Sequence, residues 1–512
     1  MNSGDEQIFE PQKNKIFFGG NDRLKNWLND GKSHEEIIDK VRMTLKNYLE
    51  LDNVSFLFGT GASLHLGAAS IRNFPIEVEE HVKSEGLDDV LYAEIEALQS
   101  DLVKEEYKKK LQDAPAEMAE PNNDEDHEEN PDKIEEVDDP KKLDFEFTDS
   151  RGWEFVVLDS IVRDKESGEI AIEYEKILNY LIAYDYVLSQ KQPNERTDKI
   201  KNLIVAIKEG LFEVCNVDKR TISASQLEKI NARGKEEAFK NALNNKYYFH
   251  QMFLKALLQR PLNLRRANIF TTNYDLAFEY AFDRLGIHYI DGFSGFHKRF
   301  FKPETFDYDL FFPGSTTSGK VQRIEKVVRY FKLHGSLSWV NSEKRDANNL
   351  YGIEEKTLDV IEKLQKKGEI IIYPSAVKKS YTLDLPYSEL FRQFASAITC
   401  SQSVLITVGY SFFDEHLNDI IYQTLSNPTF TLIIVDFNGT KNSEIKRLKE
   451  LNDPRIIVLE GEFFGDFLTL ADTLMPNFHD VNQNEEIART MDKILRTNVE
   501  PSNPEKEQEN EK

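Results

Sequence analysis

Nearly continuous runs of Val, Ile and Leu, separated by amphipathic stretches, constrain the fold of this 512-residue chain more than any other feature. The runs at 403–409 and 430–436 contain few polar residues, which is typical of strands buried on both faces of a sheet. Other short apolar runs predict strands at 54–58, 268–271, 328–333, 369–373 and 455–459. Amphipathic spacing predicts helices at 35–50, 275–286, 385–399, 412–425 and 442–451. This alternation predicts an α/β fold with a Rossmann-like parallel sheet and right-handed crossovers.

The rest of the chain is organised differently. Two long, charged blocks at 76–112 and 170–262 have helical spacing. Between them, residues 113–140 contain thirteen Asp or Glu and four Pro, a composition that predicts a disordered acidic loop. We therefore expect four regions: an N-terminal helical extension at 1–50, a sheet domain formed by 51–75 and 263–480, a helical insertion at 76–262, and a C-terminal helix with a polar tail at 481–512.

Charge and cysteine content exclude several classes of protein. The formal net charge of −25 disfavours nonspecific binding to nucleic acid, because an acidic surface repels phosphate groups. Two cysteines, Cys215 and Cys400, exclude a disulfide framework and a zinc site made of four cysteines, and they favour a reducing, cytoplasmic location. The sequence has no run of 18 apolar residues, so no transmembrane helix is predicted, and the N-terminal segment lacks the apolar core of a signal peptide.

Glycine or polar residues follow three of the predicted strands. Residues 59–61 form a Gly-Thr-Gly loop after the first strand, Asn273 and Asp275 follow the second, and His334 follows the third. Because open α/β sheets bind ligands at the carboxyl ends of their strands, we expect these residues to form one site. Each also has a simpler interpretation. The glycines can form a bare turn, Asn273 and Asp275 can cap a helix, and His334 can be a structural histidine.

Two common nucleotide-binding patterns fit poorly. The third glycine of a dehydrogenase fingerprint would fall at Leu64, which argues against a hydride-transfer enzyme. Residues 314–320 satisfy most of a P-loop, but Val321 replaces the Ser or Thr that binds Mg²⁺. We therefore expect a surface hairpin at 314–320 and not a site for triphosphate hydrolysis.

Five motifs in this order resemble the sirtuin, or silent information regulator, family of NAD-dependent enzymes. The family's Gly-Ala-Gly-Ile-Ser loop is similar to residues 59–63, its Thr-Gln-Asn-Ile-Asp to 271–275, and its Leu-His-Gly-Ser is matched in full by 333–336. Its Gly-Thr-Ser strand end is similar to 409–411, and the strand before its ribose-binding Asn is similar to 435–438. The resemblance covers residues 50–75 and 265–460 as separated blocks, and it implies the sirtuin type of sheet.

Departures from the family pattern separate this sequence from the deacylases of the family. The family's deacylases carry a zinc module with paired CxxC motifs, which this sequence lacks, and their Asp-Phe-Arg near nicotinamide has Arg72 as its nearest counterpart. The pattern resembles the bacterial sirtuin-like branch of antiphage defence systems. That resemblance implies NAD hydrolysis with NAD as the substrate, no zinc module, and a HerA-type ATPase as a candidate partner. From the apolar positions of the helical blocks at 76–112 and 170–262 we expect a homo-oligomer; the alternative is that these positions cover the sheet.

The resemblance also implies roles for individual residues. Asn273 would hold a ribose hydroxyl and a water molecule through its amide, and His334 would accept a proton from one of them. The implied NAD-binding residues are Gly59, Thr60, Gly61, Ser63, Asp275, Ser336, Gly409, Ser411 and Asn438. The residues of the glycine loop at 59, 61 and 63 would hold the pyrophosphate through backbone and hydroxyl groups. We thus expect an NAD glycohydrolase that depletes NAD in antiviral defence. The alternatives are a noncatalytic regulatory subunit that binds NAD or ADP-ribose, and a protein deacylase.

Overall fold

The computed structural model describes residues 8–69, 74–95, 174–189, 195–232, 236–312, 322–342, 349–365, 367 and 386–476. The strands in chain order are β1 (Asn14–Phe18), β2 (Asn21–Asp22), β3 (Asn53–Phe58), β4 (Asn268–Thr271), β5 (His288–Ile290), β6 (Phe293–Ser294), β7 (Arg299–Phe301), β8 (Phe311–Phe312), β9 (Gln322–Arg323), β10 (Val327–Lys332), β11 (Trp339–Asn341), β12 (Ile353–Glu355), β13 (Ser403–Val408), β14 (Thr431–Asp436) and β15 (Ile456–Gly461).

Helices connect and cover these strands. In chain order they are α1 (Arg23–Asn29), α2 (His34–Leu49), α3 (Phe74–Ser84), α4 (Tyr174–Ser189), α5 (Glu195–Cys215), α6 (Ala224–Ala232), α7 (Glu236–Asn244), α8 (Tyr248–Leu257), α9 (Ala277–Leu285), α10 (Leu358–Leu364), α11 (Tyr387–Ile398), α12 (Glu415–Thr424), α13 (Ser443–Glu450) and α14 (Phe467–Thr469).

The central sheet has the strand order β2-β1-β15-β14-β13-β3-β4-β10-β5, and the strands from β15 to β5 run parallel. The chain passes from β3 through β4 to β10 on one side, and later places β13 on the other side of β3. The strand order therefore reverses between β3 and β13, which is where open α/β sheets bind ligands. Phe58 pairs with both Thr271 and Val408, and Thr271 pairs with Lys332, so these four strands end in register. The predicted α/β fold with a mostly parallel sheet is confirmed.

Helices cover both faces of this sheet, and this explains the apolar runs. In β14, Ile433 and Val435 pack into one hydrophobic cluster, whereas Leu432 and Ile434 pack into another. The first cluster includes side chains from α2, α8 and α9, and the second includes side chains from α11, α12 and α13. Because both faces are buried, these strands lack the alternating polar positions of a half-exposed sheet.

Most predicted elements are present, with bounds that differ by a few residues. Several predictions lie outside the described residues: Arg72, the acidic loop at 113–140, the P-loop-like segment at 314–320, the strand at 369–373 and the region at 481–512.

The N-terminal segment differs from the helical extension that the sequence predicted. Residues 14–18 form β1, which pairs antiparallel with β15 and extends the central sheet. Ile16 and Phe17 pack into the hydrophobic clusters on opposite faces of the sheet, and a strand lets adjacent residues do this. The predicted helix at 35–50 is present as α2.

The predicted helical insertion at 76–262 also divides in two. Helices α3 and α5 pack through Val78, Leu203 and Ile207 in a third hydrophobic cluster. In contrast, α8 packs Phe249 and Phe253 into the core of the central sheet. By packing, α8 therefore belongs with the sheet, although its sequence continues the charged helical block.

A four-stranded antiparallel sheet, in the order β11-β12-β7-β6, shares the second hydrophobic cluster with the central sheet and was not predicted from sequence. Its strands have only two or three residues, too few to show a reliable period. Arg299 forms ion pairs with Asp291, at 2.9 Å, and with Glu355. Burial, followed by the charge of Asp291, raises the pKa of Glu355 to about 8.

Candidate functional site

The loops after β3 and β13 approach each other so closely that side chains are excluded. The Gly61 N–H donates to the Gly409 carbonyl at 3.1 Å, and the Gly59 N–H donates to the Val408 carbonyl at 3.0 Å. A Cβ atom added to Gly61 would lie 2.6 Å from Gly409 Cα, and Gly409 itself has φ of +57°. These glycines set the separation of the two loops at the point where the strand order reverses.

This packing changes the role expected for the glycine loop. We predicted that Gly59, Gly61 and Ser63 hold a pyrophosphate partly through backbone N–H groups. All three of these N–H groups donate within the protein, the Ser63 N–H to the Thr60 carbonyl at 2.9 Å. The glycines therefore permit close packing against Gly409, and their amides are not available as a phosphate cradle. Ser63 is also buried, and Thr60 is half-buried.

Asn273, which follows β4, has an amide whose orientation is fixed by the glycine loop. Its Nδ2 donates to the Gly59 carbonyl at 3.0 Å and to the Ser63 hydroxyl oxygen at 3.1 Å. Its backbone N–H donates to Thr271 Oγ1 at 3.0 Å. Because both amide hydrogens are used, the side chain offers a ligand the acceptor Oδ1. The predicted combination of a donor and an acceptor is not present.

A buried lysine holds the backbone that follows Asn273. Nζ of Lys332, at the end of β10, donates to the Tyr274 carbonyl at 3.1 Å and to the Asp275 carbonyl. It also forms an ion pair with Glu279 at 2.9 Å. Burial raises the pKa of Glu279, and Lys332 opposes this shift. The charged pair therefore connects β10, the loop after β4 and helix α9 in the interior of the protein.

Two predicted NAD-binding side chains have structural partners. The Asp275 carboxylate accepts from the Ala277 N–H at 3.0 Å, at the start of α9. The Ser336 hydroxyl lies 3.0 Å from the Ser338 hydroxyl oxygen and is buried. These bonds give each side chain a structural role, and contact with NAD stays a prediction for both.

His334 is buried at the end of β10, where its Nε2 lies 2.8 Å from Oδ2 of Asp414. The other oxygen of Asp414 accepts from the N–H groups of His416 and Leu417, at 3.0 and 3.3 Å. Asp414 is therefore both the N-cap of α12 and the partner of His334. Strands β3 and β4 lie between β10 and β13, so this bond joins loops whose strands are about 14 Å apart at a spacing of about 4.8 Å per strand.

Ser411 and Asn438 lie at the carboxyl ends of β13 and β14. The Ser411 carbonyl accepts from Nδ2 of Asn442, the N-cap of α13, at 2.6 Å. Asn438 is exposed, and its backbone N–H donates to Asp436 at 2.9 Å. Both predicted residues therefore lie at the carboxyl edge of the sheet, Ser411 after β13 and Asn438 after β14.

Together these contacts join four loops in a closed circuit. Asn273 links the loop after β4 to the loop after β3, and Lys332 links β10 to the loop after β4. His334 links the loop after β10 to the loop after β13, which returns to β3 through Gly409. Two of its residues offer chemically useful groups. The Asn273 amide oxygen is an acceptor held in a fixed position, and His334 is paired with the carboxylate of Asp414. This arrangement is suited to orienting a hydroxyl or a water molecule and taking its proton.

Sequence reasoning missed Asp414 and Lys332. Asp414 precedes a helical pattern and could be identified as an N-cap, but its pairing with His334 depends on tertiary structure. Lys332 is a charged residue in a strand that is otherwise largely apolar, and such a residue indicates a buried partner.

Among the described residues, no group of three or more His, Cys, Asp or Glu side chains is arranged to hold a metal ion. Within the same residues, the helices all fall short of the length and apolar character needed to cross a membrane.

Residues 267–457 match the family model for the SIR2-like domain. No curated protein matches the chain. The matched segment extends from just before β4 into β15, and β3 with its glycine loop lies outside it. The structure nevertheless places β3 between β4 and β13, so β3 completes the sheet of the matched segment. The predicted sirtuin-like character is confirmed at the level of this domain, which is consistent with a function that uses NAD.

Proposed function

We propose that this protein hydrolyses NAD at the nicotinamide–ribose bond, producing nicotinamide and ADP-ribose. The proposal is carried by the position of Asn273 and His334 at the ends of adjacent strands, within the closed circuit of loops. The SIR2-like match over 267–457 supports NAD as the substrate. Measuring nicotinamide release together with NAD binding distinguishes hydrolysis from binding alone.

The reaction requires a water molecule to replace nicotinamide on the ribose. The amide oxygen of Asn273 accepts a hydrogen bond from this water and orients it. As the C–N bond breaks, its electron pair goes to the nicotinamide ring, which becomes neutral. The water oxygen bonds to the ribose carbon, and His334 accepts the water's proton, either directly or through a ribose hydroxyl that gives up its own proton and takes the water's, before releasing it to solvent.

The remaining NAD contacts follow from the resemblance. Ser411 and Asn438 would border the adenosine half of NAD, and Asp275 would orient the site or bind a ribose hydroxyl. Gly59, Gly61 and Ser63 would lie at the pyrophosphate, and Thr60, Ser336 and Gly409 would complete the NAD site. Since the amides of Gly59, Gly61 and Ser63 are bonded internally, we expect other groups to donate to the phosphate oxygens.

We also propose a biological setting by resemblance, in which NAD depletion acts in antiviral defence. Uncontrolled NAD loss is lethal, so the activity requires a trigger. We propose a homo-oligomer that is switched or scaffolded by a partner, with a HerA-type ATPase as the candidate. Size-exclusion chromatography with light scattering tests assembly, and a strictly monomeric, fully active protein at micromolar concentration would contradict it.

A noncatalytic NAD- or ADP-ribose-binding subunit is the second candidate. It is favoured by the internal bonds of the site, because the amide hydrogens of Asn273 and the Nε2 atom of His334 already have protein partners. A protein deacylase is disfavoured because the sequence lacks the paired CxxC motifs of that class.

The deciding experiment incubates the purified chain with NAD and measures nicotinamide by liquid chromatography, with NAD binding measured by calorimetry. Asn273→Ala and His334→Ala should each abolish nicotinamide release. His288→Ala is the matched control, because His288 is an exposed histidine on β5, the strand beside β10. Near-normal release in both site variants would contradict the proposal. Binding without release by the wild type would favour the regulatory subunit.

A further inference from the structure

We infer that Asp414 is a positioning residue for His334, which it holds with the Nε2–H toward α12 and the lone pair on Nδ1. The inference rests on the proposed NAD hydrolysis, in which His334 is the base. Asp414 acts through the histidine and is not itself required to touch NAD. Asp414 follows β13, and β3 and β4 separate this strand from β10, which carries His334 at its end.

The tautomer follows from the chemistry of the two groups. A neutral imidazole has one N–H and one lone pair, and a carboxylate can only accept. At 2.8 Å from Oδ2, Nε2 must therefore carry the hydrogen. Two N–H groups at the start of α12 bond Oδ1, and the positive end of the helix favours negative charge at this position. The proton that His334 accepts in the reaction then goes to Nδ1, and the resulting imidazolium remains bonded to a negative partner.

The loop that carries Asp414 is fixed by more bonds than a helix cap requires. Asn418 Nδ2 donates to the Phe412 carbonyl at 2.6 Å, and the Tyr410 hydroxyl donates to Asn418 Oδ1 at 3.1 Å. Phe412 has φ of +57°, a left-handed conformation that is unfavourable for a bulky residue and persists only when its surroundings enforce it. Such enforced geometry is typical of residues whose position matters for function.

A capping role alone does not require a carboxylate. Asn, Asp and Ser are about equally good N-caps, so Asp414→Asn and Asp414→Ser both keep the cap of α12. They differ from the wild type at Oδ2, the atom that accepts from His334. In Asp414→Asn, the amide N–H faces Nε2 and requires a lone pair there, which moves the imidazole hydrogen to Nδ1. The same replacement in the serine protease triad lowers kcat by about 10⁴-fold because the tautomer is wrong.

The test compares both variants with the wild type in NAD hydrolysis. We expect kcat to fall by about 10²–10⁴-fold in Asp414→Asn, with KM changed by no more than about threefold, because the defect lies in proton transfer. Ser33→Ala removes the cap of α2 far from the site and is the matched control, since it should lower the unfolding midpoint without changing kcat. Nitrogen-15 NMR of selectively labelled histidine should show His334 protonated on Nε2 in the wild type and on Nδ1 in Asp414→Asn.

Unchanged kcat together with an unchanged tautomer in Asp414→Asn would overturn the inference. So would a rise in KM, or a loss of stability, that accounts for the whole loss of activity, since either would show a structural role alone. If the wild type releases no nicotinamide, the proposed function fails. The tautomer measurement then still decides whether Asp414 positions His334.

Discussion

Replacing Gly61 with Ala tests whether close packing explains the glycines at the reversal of strand order. The new Cβ would lie 2.6 Å from Gly409 Cα, about 1 Å inside the normal contact distance between carbon atoms. The nearest atoms are backbone atoms, so the loops after β3 and β13 must separate. Overpacking of this kind destabilises a protein by about 1–3 kcal/mol. The shift also reaches Asn273 through the carbonyl of Gly59, so NAD hydrolysis should fall as well.

Two other glycines provide matched controls. Gly286, at the end of α9, has φ of +62°, and among the described residues nothing lies within 4 Å of its added Cβ. Gly286→Ala therefore measures left-handed strain alone, about 1–2 kcal/mol. Gly409→Ala combines φ of +57° with a Cβ atom 2.5 Å from Gly61 Cα, so we expect about 2–5 kcal/mol as the sum of both effects.

Urea unfolding and nicotinamide release, measured on all three variants, separate these contributions. Gly286→Ala should keep its activity, whereas Gly61→Ala and Gly409→Ala should lose it. A Gly61→Ala protein as stable and active as the wild type would refute the close-packing argument. Equal losses of stability in Gly286→Ala and Gly409→Ala would show that strain alone accounts for the glycine at position 409.

Two more predictions concern buried charges. Lys332→Met leaves Glu279 buried without its cation, so we expect the free energy of unfolding to fall by about 3–5 kcal/mol and NAD hydrolysis to weaken. The double variant Lys332→Met/Glu279→Gln should recover part of this stability. Strictly additive effects of the two substitutions in urea unfolding would contradict the coupling. Because the pKa of Glu355 is raised from 4.5 to about 8, its contribution to stability is complete below about pH 4.5 and is lost as the pH rises through about 8. Thermal unfolding of Glu355→Gln should therefore depend less on pH across this window, and an identical dependence would count against the shifted pKa.

The sequence was informative where a structural requirement is local. A strand buried on both faces needs a continuous apolar run, so β13 and β14 could be predicted from their residues alone. Ser33 and Glu36 form the capping box that begins α2, beside the predicted start of that helix. Because parallel strands end at one edge, the same reasoning brought the glycine loop, Asn273 and His334 together.

The features that could not be predicted depend on contacts between distant segments. Strand β1 has five residues, and its place in the sheet is decided by pairing with β15 at the other end of the chain. Asp414 lies 80 residues from His334 in sequence, and no local pattern connects them. We expected the amide of Asn273 to offer a ligand both a donor and an acceptor. In the structure its hydrogens bond the Gly59 carbonyl and the Ser63 hydroxyl, two contacts that the sequence alone does not show.

These internal bonds determine which ligand groups the site can hold. The donors of the circuit, namely the Asn273 amide hydrogens and the N–H groups of residues 59, 61 and 63, bond protein acceptors. The acceptor that these residues present to a ligand is the Asn273 Oδ1 atom, beside His334 as the proposed base. Acceptors bind a hydroxyl or a water molecule and repel an oxyanion such as a phosphate. The centre of the circuit is thus suited to the ribose and the attacking water, and donors other than these amides must bind the phosphates of NAD. Because these groups are already bonded in place, little reorganisation is needed when the proton moves.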